Sequence, residues 1–226
     1  MTDTKPNIAV VLSGCGVYDG AEIHESTLTL LALDKQGASY QCFAPNVEQA
    51  HVINHLNGEA TEESRNVLVE SARIARGDIK DLKDFSADDF DAVIFPGGFG
   101  AAKNLSSFAF DGADCSVNDD VAAAVKAVHG AGKPMGALCI APAMMAKLFE
   151  GAKVTIGSDP GTAEAIETMG GHHMATTHGE IVIDDNLRLV TSPCYMLDAT
   201  ISQIADGTEN AVRTLLDMVN QDRQAA

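Results

Sequence analysis

The sequence is 226 residues long, 46% hydrophobic and 21% charged, with 15 Lys and Arg against 32 Asp and Glu for a formal net charge of −17. This composition excludes wholesale disorder, and the length suits a single α/β domain over residues 1–226 whose core needs neither disulfides nor metals. The acid excess speaks against nucleic-acid or anionic-membrane partners, because phosphates meet a repelling average surface.

Strand and helix signals alternate along the chain. Residues 8–13 are an apolar run ending in Ser13-Gly14-Cys15-Gly16. The run is too short for a signal-peptide core or a membrane span, so a cytoplasmic protein is expected. Residues 22–35 have helical spacing through Leu28, Leu31 and Ala32 and stop at Gly37. Residues 40–44 read as a strand closed by Pro45, and residues 62–76 as a helix with Val67, Leu68 and Ile74 inward. A buried strand over 91–95 is closed by Pro96-Gly97-Gly98, and 118–131 form an Ala- and Val-rich helix. A short strand at 135–138 runs into a helix at 141–149, followed by a helix at 162–169. Strands at 181–184 and 187–191 flank a turn at Asp185-Asn186, and a closing helix covers 199–220. This alternation predicts a mostly parallel sheet covered on both faces, with the last strand pair an antiparallel hairpin at or near an edge.

The five cysteines, Cys15, Cys42, Cys115, Cys139 and Cys194, are odd in number and contain no C-x-x-C pair. Neither a disulfide framework nor a zinc ribbon fits, and at least one thiol is free. The first glycine turn is not a dinucleotide fingerprint: position 19 is Asp where a third glycine is needed, and Gly20 comes one residue late. A P-loop signature is also missing, so no nucleotide cofactor is expected.

The strongest chemical signal is Gly136-Ala137-Leu138-Cys139-Ile140-Ala141-Pro142. An apolar strand meets Cys139 and a helix begins at once, which is the pattern of a sharp turn that lifts a nucleophile above a sheet's carboxyl edge. The helix N-terminus favours a thiolate, so a low thiol pKa is expected. A buried structural cysteine is the competing reading. Pro96-Gly97-Gly98-Phe99-Gly100 ends an apolar strand, at the same edge if the strands are parallel; its unshielded N–H groups suit an oxyanion hole, while an ordinary tight turn is the stronger reading of this stretch by itself.

Together with Ala101-Ala102-Lys103-Asn104-Leu105, these two turns resemble the PfpI/deglycase branch of the class I glutamine amidotransferase-like superfamily. The segment Ser13-Gly14-Cys15-Gly16-Val17-Tyr18-Asp19-Gly20-Ala21-Glu22-Ile23-His24-Glu25 is similar to the isoprenoid-associated, glyoxalase-like ElbB proteins. The resemblance implies a flavodoxin-like, doubly wound α/β fold and a homodimer. It places the reactive cysteine at Cys139 and a proton-carrying glutamate at Glu25, with oxyanion donors at Gly98 and Ile140. Glu22 is a secondary candidate whose plainer reading is an exposed first-turn glutamate. Gly171-His172-His173 resembles the segment that presents a site histidine, so His172 and His173 are candidate proton carriers, with a solvated loop pair as the alternative. His24 is expected to face the core or a subunit contact.

The chain departs from protease-like members, which have a histidine directly after the cysteine; here it is Ile140. His178-Gly179-Glu180 spells the late H-x-E of glutaminase subunits but precedes a strand, so a catalytic dyad is not expected there. Cys15 is a possible redox partner of Cys139 across the sheet edge. The implied function is a cofactor-independent, glyoxalase III-type lyase acting on small neutral α-oxoaldehydes. Neither a metal nor a membrane is implied. The alternative is a non-catalytic redox or stress sensor built on the same thiol, or a regulatory binding protein.

Overall fold

The computed structural model describes residues 5–225. Met1 to Thr4, at the start of the N-terminal stretch read above as lacking a signal peptide, and Ala226 lie outside the described residues. The strands are β1 (Asn7–Val11), β2 (Ser39–Ala44), β3 (Ile53–Asn54), β4 (Glu59–Ala60), β5 (Ile79–Asp81), β6 (Ala92–Phe95), β7 (Met135–Leu138), β8 (Lys153–Val154), β9 (His172–His173), β10 (Val182–Asp184) and β11 (Leu189–Ser192). The α-helices are α1 (Ile23–Lys35), α2 (Val67–Ile74), α3 (Phe99–Lys103), α4 (Phe108–Asp111), α5 (Asp119–Gly130), α6 (Pro142–Leu148), α7 (Pro160–Thr168) and α8 (Ile201–Ala225).

Seven strands form a sheet in the order β10-β11-β7-β6-β1-β2-β5. All its pairs are parallel except β10 with β11, so the expected hairpin sits at one edge. The central strands are continuous apolar runs because both faces are covered, and successive side chains serve opposite faces. Ala9, Val11, Val93, Phe95 and Met135 pack with Val121 and Val125 of α5 and Met144 and Met145 of α6. Ile8, Val10, Leu12, Ile94 and Val190 pack on the other face with Leu33 of α1 and Val212, Leu215 and Val219 of α8. This is the doubly wound, flavodoxin-like α/β fold.

From β1 the chain first builds outward through β2 and β5, then returns to the other side through β6, β7 and β11. Strand order therefore reverses between β1 and β6, and open α/β sheets carry their ligand crevice at such a point, beyond the carboxyl ends of the strands. Two helices differ from the sequence reading. α2 begins at Val67, not at residue 62, because the Asn66 side chain accepts the Val69 N–H at 3.1 Å and caps it; Leu68 and Ile74 are only half-buried. α8 runs on to Ala225, and Arg223 Nη2 ties its end to Asp91 Oδ2 at 2.8 Å.

Candidate active site

Cys139 follows β7, and its N–H donates to Ser192 O of β11 at 2.9 Å. Its φ is +59°, a left-handed conformation that costs a residue with a Cβ about 1–2 kcal/mol. The chain then enters α6, where Pro142 takes an early position whose N–H has no helical partner to lose. This strand-to-helix reversal sets the sulfur at the sheet's carboxyl edge, against the Gly97 turn.

Glu25 comes from the first turn of α1. Glu22 caps that helix: its Oε2 accepts the Glu25 N–H at 2.7 Å, and its own N–H donates to Gly97 O at 2.9 Å. Glu22 is therefore 7% exposed, not the solvated glutamate expected. The cap holds α1 against the Gly97 turn and drives Glu25, 0% exposed, beneath it. Glu25 Oε2 accepts the Gly97 N–H at 2.9 Å, and Oε1 accepts the Tyr195 N–H at 3.0 Å. Burial pushes the Glu25 carboxyl up to about 7 and Glu22 adds to the rise, while the two amides and the Cys139 thiol hold it back.

Gly97 makes this convergence possible. A Cβ there would lie 2.2 Å from Cys139 Cβ, 2.7 Å from Glu25 Oε2 and 2.8 Å from Cys139 Sγ. Burial, with Glu25 beside it, pushes the Cys139 thiol well above its ordinary range; hydrogen bonds from the backbone of Gly98 and Ile140 act in the opposite sense. The low thiol pKa expected from the sequence is thus reversed, because the sulfur shares a dry pocket with another acid. Thiolate beside carboxylic acid and thiol beside carboxylate are two placements of one proton. Chemically, the arrangement offers a sulfur nucleophile, a carboxyl poised near neutrality, and two N–H groups aimed at the sulfur's position.

Two residues at this edge carry no sequence signal of their own. Cys194 is buried at φ +41° within electrostatic reach of Cys139. Tyr195 holds Glu25 through its backbone, and its Oη shares a 2.8 Å hydrogen bond with His24 Nδ1. His24 is exposed at the rim and not turned into the core. The hint available in the sequence was that Pro193-Cys194-Tyr195 follows a parallel strand at the same edge.

Other expected residues lie elsewhere. His172 and His173 form β9, paired with Lys153 and Val154 of β8. The Lys153 N–H donates to Asp184 Oδ2, and Asp184 pairs with Leu189 at the start of β11. The two histidines therefore stand toward the opposite end of the strands from Cys139, as part of a small sheet and not as a loop pair. Burial lowers the His173 pKa. The charges that reach Cys15 are those of Arg73, Glu70 and Asp19, and Cys139 is not among the groups acting on it. Both are free thiols. Glu180 accepts from Thr177 N and Oγ1 at 2.6 and 3.0 Å, capping its own turn without engaging His178. A groove of about 520 Å³ near β10, lined by Thr176, Glu180, Val182, Asn210 and Arg213 among others, shares no residue with the Cys139 cluster. Among the described residues no group of three or more His, Cys, Asp or Glu side chains is placed to hold a metal ion, and no helix is long and apolar enough to cross a membrane.

The chain is similar to known proteins over most of its length. The chain is 50% identical to human glutamine amidotransferase-like class 1 domain-containing protein 3, mitochondrial, over 95% of its own length and 84% of that protein. The mitochondrial ES1 proteins of rat and zebrafish are 48% and 37% identical, over 96% and 94% of this chain and 85% and 86% of theirs. Relatives named as mitochondrial overturn the cytoplasmic expectation, which rested on a first apolar run too short for a signal-peptide core or a membrane span. Among solved structures, an isoprenoid biosynthesis protein with an amidotransferase-like domain from Ehrlichia chaffeensis matches with a TM-score of 0.89 and 37% identity over 95% of this chain and 99% of that one. Glyoxalase III from Candida albicans shares the fold with a TM-score of 0.61 and 16% identity over 93% and 97%. Residues 17–199, the span holding Glu25, Gly97, Cys139 and Tyr195, match the model of the DJ-1/PfpI family, and the chain belongs to that family.

Proposed function

We propose that this protein is a cofactor-independent glyoxalase that converts small neutral α-oxoaldehydes such as glyoxal or methylglyoxal to the hydroxy acid. The observation that carries the reading is the buried Glu25 carboxyl, raised to about 7 and converging with Cys139 on Gly97. A base poised near the working pH is what proton abstraction beside a carbonyl needs. Glu25 carboxylate takes the thiol proton as sulfur adds to the aldehyde carbon, and returns it to the new oxyanion to give a hemithioacetal. The N–H groups of Gly98 and Ile140 stabilise that oxyanion. Glu25 then moves the C1 proton to C2 through an enediol while the hydroxyl proton passes from the C1 oxygen to the C2 oxygen. C1 is oxidised and C2 reduced, leaving a thioester. Water cleaves the carbon–sulfur bond, releases the hydroxy acid and restores the thiol. The glyoxalase III name of the Candida albicans neighbour supports this chemistry. The Ehrlichia chaffeensis neighbour, named an isoprenoid biosynthesis protein, supports membership of the ElbB group.

A redox sensor built on the same thiol needs an exposed, low-pKa sulfur, whereas Cys139 is 7% exposed and its pKa is raised. The test is hydroxy-acid formation from glyoxal and methylglyoxal without glutathione. The wild type should turn over many times, and Cys139→Ala should form none while retaining its fold. Equal product from Cys139→Ala would sink the reading. Homodimerisation belongs to the same proposal and is read by light scattering.

A further inference from the structure

Glu25 is sealed from water, yet the reaction proposed above does not conserve protons in solution. A neutral oxoaldehyde and water give a hydroxycarboxylate and one proton, because the product acid is ionised near neutral pH. That proton originates in a pocket where Cys139 is 7% exposed and Glu25 0%. Both Glu25 oxygens are engaged by backbone N–H groups, Gly97 on one side and Tyr195 on the other. The position after Cys139 is Ile140, so the elbow supplies no imidazole. His172 and His173 are held in β9, away from the sulfur.

Tyr195 spans the wall between this pocket and solvent. Its N–H lies on Glu25 Oε1, while its hydroxyl lies 2.8 Å from Nδ1 of the exposed His24. The two rings sit 5.8 Å apart at 48°, a tilted contact that keeps the imidazole beside the phenol. Chain connectivity reinforces the placement, since His24 and Glu25 are consecutive in the first turn of α1. We propose that His24 and Tyr195 form the proton exit of the Cys139 site: the water that enters the pocket to cleave the thioester carries the released proton to the phenol hydroxyl, which passes it to the imidazole and on to bulk water. The hydroxyl of Tyr195 is within electrostatic reach of Glu22, Glu25 and Cys194, so the charged groups around it are those of the pocket itself. An imidazole has two ring nitrogens, so Nδ1 can take up a proton from the phenol while Nε2 gives one to water.

The proposal rests on the glyoxalase reading, and the experiment separates the two. Turnover of glyoxal is measured in weak, low-concentration buffer for wild type, His24→Ala and Tyr195→Phe, and then with increasing free imidazole. Tyr195→Phe keeps the N–H on Glu25 and deletes only the hydroxyl. Stoichiometric alkylation of Cys139 checks that each variant retains the pocket. Both variants should lose roughly tenfold in kcat, below the usual full contribution of a general acid or base, and free imidazole should return them close to wild type. Wild-type rates in either variant at low buffer overturn the proton exit and leave the glyoxalase reading standing. A loss that imidazole does not restore also overturns it, since that marks a structural role. No turnover by wild type removes the glyoxalase reading, and the exit falls with it.

Discussion

Glu25 is buried where an ionised carboxylate is costly, and that single fact sets two pH dependences. Its carboxyl sits near 7 in the folded chain against an ordinary 4.5. Folding therefore favours the protonated form, and the stability associated with it is complete below the ordinary value and is lost as pH rises through about 7. Unfolding by urea at about pH 5 and about pH 8 should show wild type losing on the order of 2–3 kcal/mol more than Glu25→Gln, whose amide does not titrate. A parallel response in both proteins would contradict the raised carboxyl. In catalysis the sign is opposite, because the carboxylate is the base: kcat/KM for methylglyoxal should rise through about pH 7 and level off above it. A profile that falls over that range would move the base to another residue.

At the level of elements, the site is a meeting of turns, and the glycines divide sharply by what surrounds them. A Cβ on Gly97 meets Cys139 Cβ at 2.2 Å, whereas one on Gly130, at the end of α5, meets nothing within 4 Å. Gly97→Ala should abolish turnover and destabilise the protein by at least the roughly 1–3 kcal/mol usual for overpacking, since the contact is to a backbone-fixed carbon. Gly130→Ala should leave activity intact and raise stability by about 0.5–1 kcal/mol through helix propensity. Thermal melts and product assays on the two variants test the pair together. Local pattern made these elements legible: the apolar runs of β1, β6 and β7 and the strand-turn-helix around Cys139 are written in consecutive residues. The two-residue strands β3, β4, β8 and β9 are shorter than any period that could announce them. For the same reason His172 and His173 read as a loop when they pair with β8. Tyr195 was illegible for another reason: it holds Glu25 with a backbone N–H, and every residue but proline has one. The burial of Glu22 and the raised thiol of Cys139 likewise depend on what folds over them, which no local spacing records.

Over the whole molecule, the charge of −17 acts on what can approach the crevice. Acidic groups stand close to it, Glu22 inside the rim and Asp19 in the neighbouring glycine turn, and the surface field adds to theirs. A neutral oxoaldehyde feels little of this, while an anionic analogue with the same reacting aldehyde must move up the potential. Glyoxylate against glyoxal isolates the effect, since both present an aldehyde to Cys139 and differ in the carboxylate. At low ionic strength adduct formation at Cys139 should be slower with glyoxylate, and adding salt to physiological strength, where the Debye length is about 8 Å, should speed it several-fold. The rate with glyoxal should stay level over the same range. The readout is alkylation protection or intact mass, so it does not depend on turnover of either compound. Salt-independent glyoxylate addition would mean that a local cation offsets the field at the mouth. Lys103, whose Nζ donates to Tyr18 O and stands over the Phe99 ring beside the Gly98 turn, would then be the residue to replace.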